Sequence, residues 1–195
     1  MGAAPAWPEP VPEGLVAPWA AGAYEGTVRA MVIGLKERRL LSLAGPLAGL
    51  LAAAVATELG AGAPVVLVPV PSRRRTVRAR GHDPTHSMTQ GAAALLRSTT
   101  GGEVQVQRLL RLRPGVVDQA GLDAAARAEN LAGSMHCPTP GLRRLGRGLD
   151  RARMVVCDDV LTTGSTAREA QRALQAVGLD VVRVAAVAAT QRRRP

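Results

Sequence analysis

Apolar runs alternate with helical stretches along the chain, which is the pattern of strands joined by helices. Residues 65–68 and 154–157 are short, continuous apolar runs, as expected of parallel strands covered on both faces. Residues 181–189 form a longer run of the same kind. From about Thr166, apolar side chains recur on one helical stripe until Gly178, a residue type that commonly ends helices. The pattern predicts an α/β fold in which helices flank a parallel, twisted sheet.

Two further helices are predicted in the first third of the chain. Residues 25–36 carry apolar side chains at helical spacing, with Lys36 on the face turned to solvent. Residues 40–57 are uncharged over 18 positions, which is the length of a membrane span. Their Ala, Gly, Ser and Pro content is only weakly apolar, and Pro46 suits the first turn of a buried helix that ends near Gly60. We therefore expect no membrane association.

The two ends of the chain lack periodicity. Residues 1–20 contain five prolines and predict a flexible lead, and residues 191–195 predict a basic, disordered tail. Between them, residues 21–190 have the length of one domain. Within that domain, Asp83 and Pro84 have the residue types of a helix N-cap and first helical position.

The strand predicted over residues 154–157 runs directly into two carboxylates, Asp158 and Asp159. Neighbouring side chains on a strand point to opposite faces, so we expect the strand to end at Cys157 rather than to bury an unpaired charge. Two carboxylates about 4 Å apart repel by about 4 kcal/mol at a protein-surface dielectric. Ribose hydroxyls or a hydrated Mg²⁺ would offset that repulsion. Asp158 and Asp159 are therefore the predicted catalytic residues.

A turn rich in hydroxyl groups follows the carboxylates. Its members are Thr162, Thr163, Gly164, Ser165 and Thr166. Glycine lets the backbone approach a ligand, and the N-terminus of the helix that follows attracts anions. Capping explains one Asp or one Thr, but not six such residues within nine positions. The stretch therefore predicts a site for a phosphorylated sugar. Neither a Walker A loop nor a Gly-x-Gly-x-x-Gly motif is present, which disfavours nucleotide triphosphatases and dinucleotide folds.

Three arginines follow the strand predicted over residues 65–68. Two prolines end that strand, and Arg73, Arg74 and Arg75 come next. Guanidinium groups bind phosphate through two parallel hydrogen bonds, so this loop is a candidate for holding pyrophosphate. A solvated basic turn is the alternative that the residues leave open.

Charge and cysteine usage narrow the class of protein. The formal net charge is +10, and every basic residue except Lys36 is an arginine, histidines aside. This balance predicts attraction to phosphorylated substrates, nucleic acid or acidic partners. Cys137 and Cys157 lack the spacing of a zinc site or a disulfide framework, and the N-terminus lacks the pattern of a signal peptide. We therefore expect a cytoplasmic protein and assign no residue as a metal ligand.

Residues 155–166 resemble the phosphoribosyl pyrophosphate (PRPP) signature of type I phosphoribosyltransferases. In that signature two acidic residues bind the ribose hydroxyls and the Thr-Thr-Gly-x-Thr turn binds the 5-phosphate. Residues 24–36, 68–75 and 80–83 are similar to further blocks of the ComF branch, named for a competence protein. So are Gln119, Arg127 and Asn130. The resemblance spans about residues 22–190, and the zinc ribbon that family members often carry near the N-terminus is absent.

The resemblance implies a type I phosphoribosyltransferase fold with a small hood or flap region, in which Gln119, Arg127 and Asn130 close over the substrates. It implies that Arg73 and Arg74 bind pyrophosphate and that Lys36 makes a second phosphate contact. The implied cofactor is Mg²⁺. The implied reaction transfers the 5-phosphoribosyl group from PRPP to a nitrogen acceptor and releases pyrophosphate.

A second function stays open. The ComF resemblance and the many arginines also fit a non-catalytic protein that binds PRPP, or that binds single-stranded DNA as an accessory of the DNA-uptake machinery. Few aromatic residues are available for base stacking, which disfavours a stacking platform but not backbone contacts. Dimers are common among proteins that the chain resembles, so a homodimer is a further expectation.

Overall fold

A mixed, mostly parallel sheet of six strands lies at the centre of the protein. The computed structural model describes residues 2–57, 64–113, 133–139, 142, 145 and 152–190. In chain order the strands are β1 (Ala4–Pro5), β2 (Pro18–Ala20), β3 (Val65–Pro69), β4 (Val104–Val106), β5 (Arg111–Leu112), β6 (Met135–His136), β7 (Arg153–Leu161) and β8 (Val181–Ala189). The helices are α1 (Gly26–Glu37), α2 (Ala44–Ala56), α3 (Arg74–Arg80), α4 (Pro84–Thr100) and α5 (Ser165–Gln175), with a 3₁₀ turn at Leu41–Leu43.

The order of strands in the sheet is β1-β2-β8-β7-β3-β4. Strand β1 runs antiparallel to β2, and the remaining neighbours are parallel. Strands β5 and β6 pair with each other as a separate antiparallel ribbon. The predicted α/β class, with a largely parallel sheet between helices, is confirmed.

The two faces of the sheet bury different sets of side chains. On β7, Met154 and Val156 pack into a cluster with helix α5, whereas Val155 and Cys157 pack into a cluster with helices α1, α2 and α4. Both clusters consist mainly of Ala, Val and Leu, because the chain has only three aromatic residues. A central strand buried on both faces explains why its sequence reads as a continuous apolar run.

The connections that leave β3 and β7 lead to opposite sides of the sheet. From β3 it passes through α4 to β4 on one side, and from β7 it passes through α5 to β8 on the other. The carboxyl ends of β3 and β7 therefore lie side by side, with Pro69 opposite Cys157. Such a switch in strand order opens a crevice at the carboxyl edge of a sheet, where ligands of α/β proteins generally bind.

Several local predictions are confirmed. The strand over residues 181–189 has the predicted bounds, and Asp83 caps α4 by accepting a hydrogen bond from the backbone N–H of His86 at 3.3 Å. Pro84 is the first residue of that helix. Gly178 adopts the left-handed conformation, with φ of +80°, just after α5. Val177, expected on the buried stripe, is instead exposed because α5 ends at Gln175.

The prediction that residues 1–20 form a flexible lead is wrong for the part the structure describes. Strands β1 and β2 extend the central sheet, and Gln171 of α5 holds the segment between them. The Gln171 side chain accepts the Val16 N–H at 3.0 Å and donates to the Gly14 carbonyl at 2.9 Å. A proline-rich segment lacks the regular spacing of apolar residues that predicts a helix or strand. The backbone groups beside its prolines can still form hydrogen bonds to another element.

One predicted helix and one predicted loop are corrected. The stretch around Leu40 forms a 3₁₀ turn, and α2 ends at Ala56 because Thr57 is extended. The loop predicted at Arg73, Arg74 and Arg75 is partly helical, because α3 begins at Arg74. None of the helices in the described ranges has the length and hydropathy needed to cross a bilayer. The flap residues Gln119, Arg127 and Asn130, and the tail at 191–195, lie outside the described residues.

We expect Gln171→Ala to lower the free energy of unfolding by about 1–3 kcal/mol, because it removes two hydrogen bonds to the backbone of the N-terminal segment. Urea denaturation measures this change, and limited proteolysis should cut the variant sooner between residues 7 and 16. Gln90→Ala, an exposed change on α4, should alter stability by less than about 0.5 kcal/mol. Equal stability of the two variants would show that the hydrogen bonds of Gln171 to Val16 and Gly14 do not stabilise the fold.

Candidate functional site

Asp158 and Asp159 lie inside strand β7, not beyond its end. Asp158 pairs with Ala186 of β8, and the ladder continues until Leu161 pairs with Ala189. The two residues are only 8% and 5% exposed. The prediction that the strand ends at Cys157 is therefore wrong, and the structure must satisfy two neighbouring buried carboxylates.

Local hydrogen bonds and one ion pair stabilise the two buried carboxylates. Each carboxylate accepts the backbone N–H of the following residue: Asp158 from Asp159 at 2.8 Å, and Asp159 from Val160 at 2.9 Å. The ammonium group of Lys36, near the end of α1, forms an ion pair with the other oxygen of Asp159. The repulsion expected from the sequence is thus offset in part within the chain.

These contacts and the burial of the site shift the pKa values of Asp158 and Lys36. Burial, and then the neighbouring Asp159 carboxylate, raises the pKa of Asp158 well above its ordinary value. Burial alone would lower the pKa of Lys36, but the carboxylates of Asp159 and Asp158 outweigh that effect and raise it. Lys36 therefore stays charged, whereas Asp158 retains a proton more readily than an ordinary aspartate.

Lys36 lies elsewhere than the sequence predicted. Its predicted position on the solvent-facing side of its helix is wrong, because its side chain is only 33% exposed and its ammonium contacts Asp159. Its role as a phosphate contact stays a prediction. Helical spacing places it one residue after the buried Leu35, and a lysine stem can cross apolar surface to reach a charge at the sheet edge.

The hydroxyl turn is folded by its own side chains. Ser165 donates its backbone N–H to the Thr163 hydroxyl at 3.4 Å, and the two side-chain oxygens lie 3.0 Å apart. Gly164 has φ of +73° and immediately precedes α5, which begins at Ser165 rather than Thr166. Thr162 is exposed, and Thr166 is half-buried in the first turn. Hydroxyl groups therefore gather at the start of a helix of 11 residues, where the first N–H groups have no partner within the helix itself.

The N-terminal segment lies against this turn. A side chain at position 164 would place its Cβ 2.9 Å from Pro8 and 3.2 Å from Pro12. Gly164 is therefore required both for its positive φ and for this close approach. No pattern in residues 8–15 predicts that they lie beside the candidate site.

The arginines that follow β3 border a cleft of about 960 Å³. Arg73 is the N-cap residue of α3, and Arg74 and Arg75 lie in its first turn. The residues lining the cleft are Pro71, Ser72, Arg73, Arg74, Arg75, Arg108, Arg111, Leu112, Arg113, His136 and Pro138. Since β3 and β7 are parallel neighbours, the structure brings the arginines to the same edge as the aspartates and the hydroxyl turn.

Asp83, Glu169 and Arg172 fix segments at this edge of the sheet. The sequence predicted a helix cap for Asp83 and no role for the other two. Asp83 accepts hydrogen bonds from the Ser72 hydroxyl at 3.1 Å and from Arg108 at 3.0 Å, besides capping α4. Glu169 accepts the Met135 N–H at 2.8 Å, and Arg172 donates to the Met135 carbonyl at 3.0 Å. The position of Glu169 beside the apolar stripe of α5 is the one feature of the sequence that could have indicated a buried polar contact.

Among the described residues, no group of three or more His, Cys, Asp or Glu side chains could enclose a metal ion. Mg²⁺ usually keeps several waters and binds through one or two carboxylates together with substrate phosphates. The two adjacent carboxylates of β7 suit a hydrated ion carried by a phosphorylated substrate better than a resident metal.

Comparison of the chain with protein-family models and with curated protein sequences gives no match. Function is therefore inferred from the residues and their geometry.

We expect Asp158→Asn to raise the melting temperature at pH 8 by about 2–4 °C, the shift that about 1 kcal/mol produces in a chain of this size. The folded state raises the Asp158 pKa, so the wild type is progressively destabilised as pH rises from about 4 through that pKa. The advantage of the variant should therefore disappear near pH 4. Thermal unfolding between pH 4 and 8 measures it.

Asp159→Asn is the matched variant, and we expect no stabilisation because it removes the ion-pair partner of Lys36. A constant difference between Asp158→Asn and wild type across the pH range would contradict the raised pKa.

Proposed function

We propose that the chain is a phosphoribosyltransferase with a type I fold, similar to the ComF branch. It binds PRPP with Mg²⁺ and transfers the 5-phosphoribosyl group to a nitrogen acceptor, with release of pyrophosphate. One observation carries the proposal: an acidic pair, a hydroxyl turn at a helix start and an arginine segment share one edge of a parallel sheet, where the strand order switches.

The 5-phosphate binds at the turn before α5. Thr163 and Ser165 supply hydroxyl groups, and the first N–H groups of the helix supply further donors for an anion. Gly164 shapes this turn through its positive φ, while the N-terminal segment packs against it. Because this contact is remote from the reacting carbon, its binding energy goes into orienting the sugar.

The ribose hydroxyls bind at the acidic pair. Asp159 is already fixed by Lys36, so its carboxylate is held in one position before ligand arrives. Burial and the Asp159 carboxylate raise the pKa of Asp158, and a hydrogen bond from a ribose hydroxyl would favour its charged form. In this proposal Lys36 positions Asp159 rather than binding phosphate.

The pyrophosphate group binds toward Arg73 and Arg74. Asp158 and Asp159 would help to hold a hydrated Mg²⁺ carried by PRPP, which would supply positive charge toward the pyrophosphate. The bond from the anomeric carbon to oxygen breaks with its electron pair leaving on pyrophosphate, and the acceptor nitrogen forms the new bond and loses its proton. Positive charge grows on the sugar ring in between, and the carboxylates of Asp158 and Asp159 stabilise it electrostatically.

Calorimetry with millimolar PRPP and Mg²⁺ tests the binding step. We expect binding by the wild type and a loss of at least about tenfold in affinity for Asp158→Asn, since a hydrogen bond to a charged group contributes about 1.5–3 kcal/mol. Asp180→Asn, an exposed change at the far end of the same β-α-β unit, is the control and should bind like the wild type.

A wild-type protein that binds neither PRPP nor ribose 5-phosphate would overturn the proposed function. Catalysis is measured by pyrophosphate release across a set of nitrogen acceptors. PRPP binding without release for any of them would leave a PRPP-binding protein rather than a transferase.

The charge of the chain favours a second candidate, a protein that binds single-stranded DNA through its phosphates. Its net charge is +10, and six arginines line one cleft. For this candidate we expect oligonucleotide affinity to fall steeply between 50 and about 200 mM salt and to be the same in Asp158→Asn. Fluorescence anisotropy with a labelled oligonucleotide measures it, and weak binding at about 50 mM salt would exclude this function.

A further inference from the structure

The arginines of the cleft come from two separate parts of the chain. Arg73, Arg74 and Arg75 follow β3, whereas Arg108, Arg111 and Arg113 follow β4 on the opposite side. None of the described residues that line the cleft carries a carboxylate. Six guanidinium groups exceed the charge of a single pyrophosphate, so the first set alone can serve the leaving group and the second set needs another explanation.

The β5–β6 ribbon concentrates basic side chains on one face. Arg111 stands directly opposite His136, and Arg113, which follows β5, lines the same cleft. The other face of the ribbon carries Leu112 and Met135, and Met135 is 1% exposed in the core.

Contacts within the chain hold this basic face in place. Arg111 donates to the backbone carbonyls of Arg108 at 3.0 Å and Leu110 at 2.9 Å. Arg108 is held by Asp83 at 3.0 Å. The Nδ1 atom of His136 is buried and has no hydrogen-bond partner within the described part of the chain. Fixed donors and an unsatisfied ring nitrogen at one cleft wall are features of a preformed binding site.

We propose that Arg108, Arg111, Arg113 and His136 form a second anion subsite, which binds a carboxylate or phosphate group of the acceptor. The inference rests on the proposed function and assigns the acceptor to a chemical class: a nitrogen nucleophile that carries its own negative charge. The subsite selects that class because guanidinium groups bind both kinds of anion through paired hydrogen bonds.

The cleft suits a small molecule better than a nucleic acid strand. Its volume of about 960 Å³ lies within the range of ligand sites, about 300–1,000 Å³. Its described lining includes Pro71, Leu112 and Pro138 as apolar contacts but no Phe, Tyr or Trp. Sites for single strands gain much of their affinity by stacking successive bases on such rings.

The test compares ligands that differ in one anionic group. The probes are uracil-6-carboxylate with uracil, pyridine-3-carboxylate with pyridine-3-carboxamide, and imidazole-4-carboxylate with imidazole. Aminomethylphosphonate with methylamine distinguishes phosphate-type from carboxylate-type recognition. Binding is measured by calorimetry with and without PRPP and Mg²⁺, together with the binding of pyrophosphate.

We expect the anionic member of at least one pair to bind about tenfold more tightly than the neutral member, as for a charge-assisted hydrogen bond. Arg111→Gln with Arg113→Gln should remove that preference and leave pyrophosphate binding intact. Arg73→Gln with Arg74→Gln should do the reverse. Arg29→Gln with Arg38→Gln, two exposed sites on or next to α1, makes the same change in net charge and should affect neither.

Equal binding of both members in every pair would overturn the subsite. So would an equal loss of preference in the α1 control variant, which would indicate a general effect of charge. Tight oligonucleotide binding at 150 mM salt that depends on Arg111 and Arg113 would assign the cleft to nucleic acid instead. If PRPP and pyrophosphate fail to bind while the anionic preference persists, the proposed function fails and the subsite stands.

Discussion

Parallel pairing between β3 and β7 is the constraint on which the candidate site depends. Pro69 lies opposite Cys157, and the Val70 N–H donates to the Cys157 carbonyl at 2.9 Å. This pairing brings the arginine segment after β3 beside the acidic pair and the hydroxyl turn of β7, although more than 80 residues separate them in the chain. Along this edge of the sheet, the side chains change from the aspartates of β7 to the arginines that follow β3 and β4. A ligand that bridges these parts must present hydroxyls to one end and phosphates to the other.

The acidic pair shows how the fold retains a locally unfavourable arrangement. Two adjacent carboxylates are buried in a strand, where an isolated charge would be very costly. Lys36 and two backbone N–H groups satisfy much of the pair, yet the pKa of Asp158 stays raised by burial and by Asp159. Residues that reduce stability in this way persist more readily at binding sites than in an ordinary core.

Polar side chains on α4 and α5 fix the irregular segments around the site. Asp83 joins the start of α4 to Ser72 and Arg108, and Gln171 joins α5 to the N-terminal segment. Glu169 and Arg172 tie the β5–β6 ribbon to α5. Because each bond ends on a helix packed against the sheet, the walls of the cleft are held by the same core that holds the strands.

The sequence by itself determined the elements with strong local signals: the buried strands, the Asp83 cap, the hydroxyl turn and the α/β class. These follow from periodicity and from backbone preferences, which act over a few residues. Only the tertiary structure decided the extension of β7 through Asp158 and Asp159, the pairing of Lys36 with Asp159, and the packing of residues 8–15 against Gly164. The extension depends on pairing with β8 beyond helix α5, and the other two depend on partners more than 100 residues away in the chain. Patterns over a few neighbouring residues do not report these contacts.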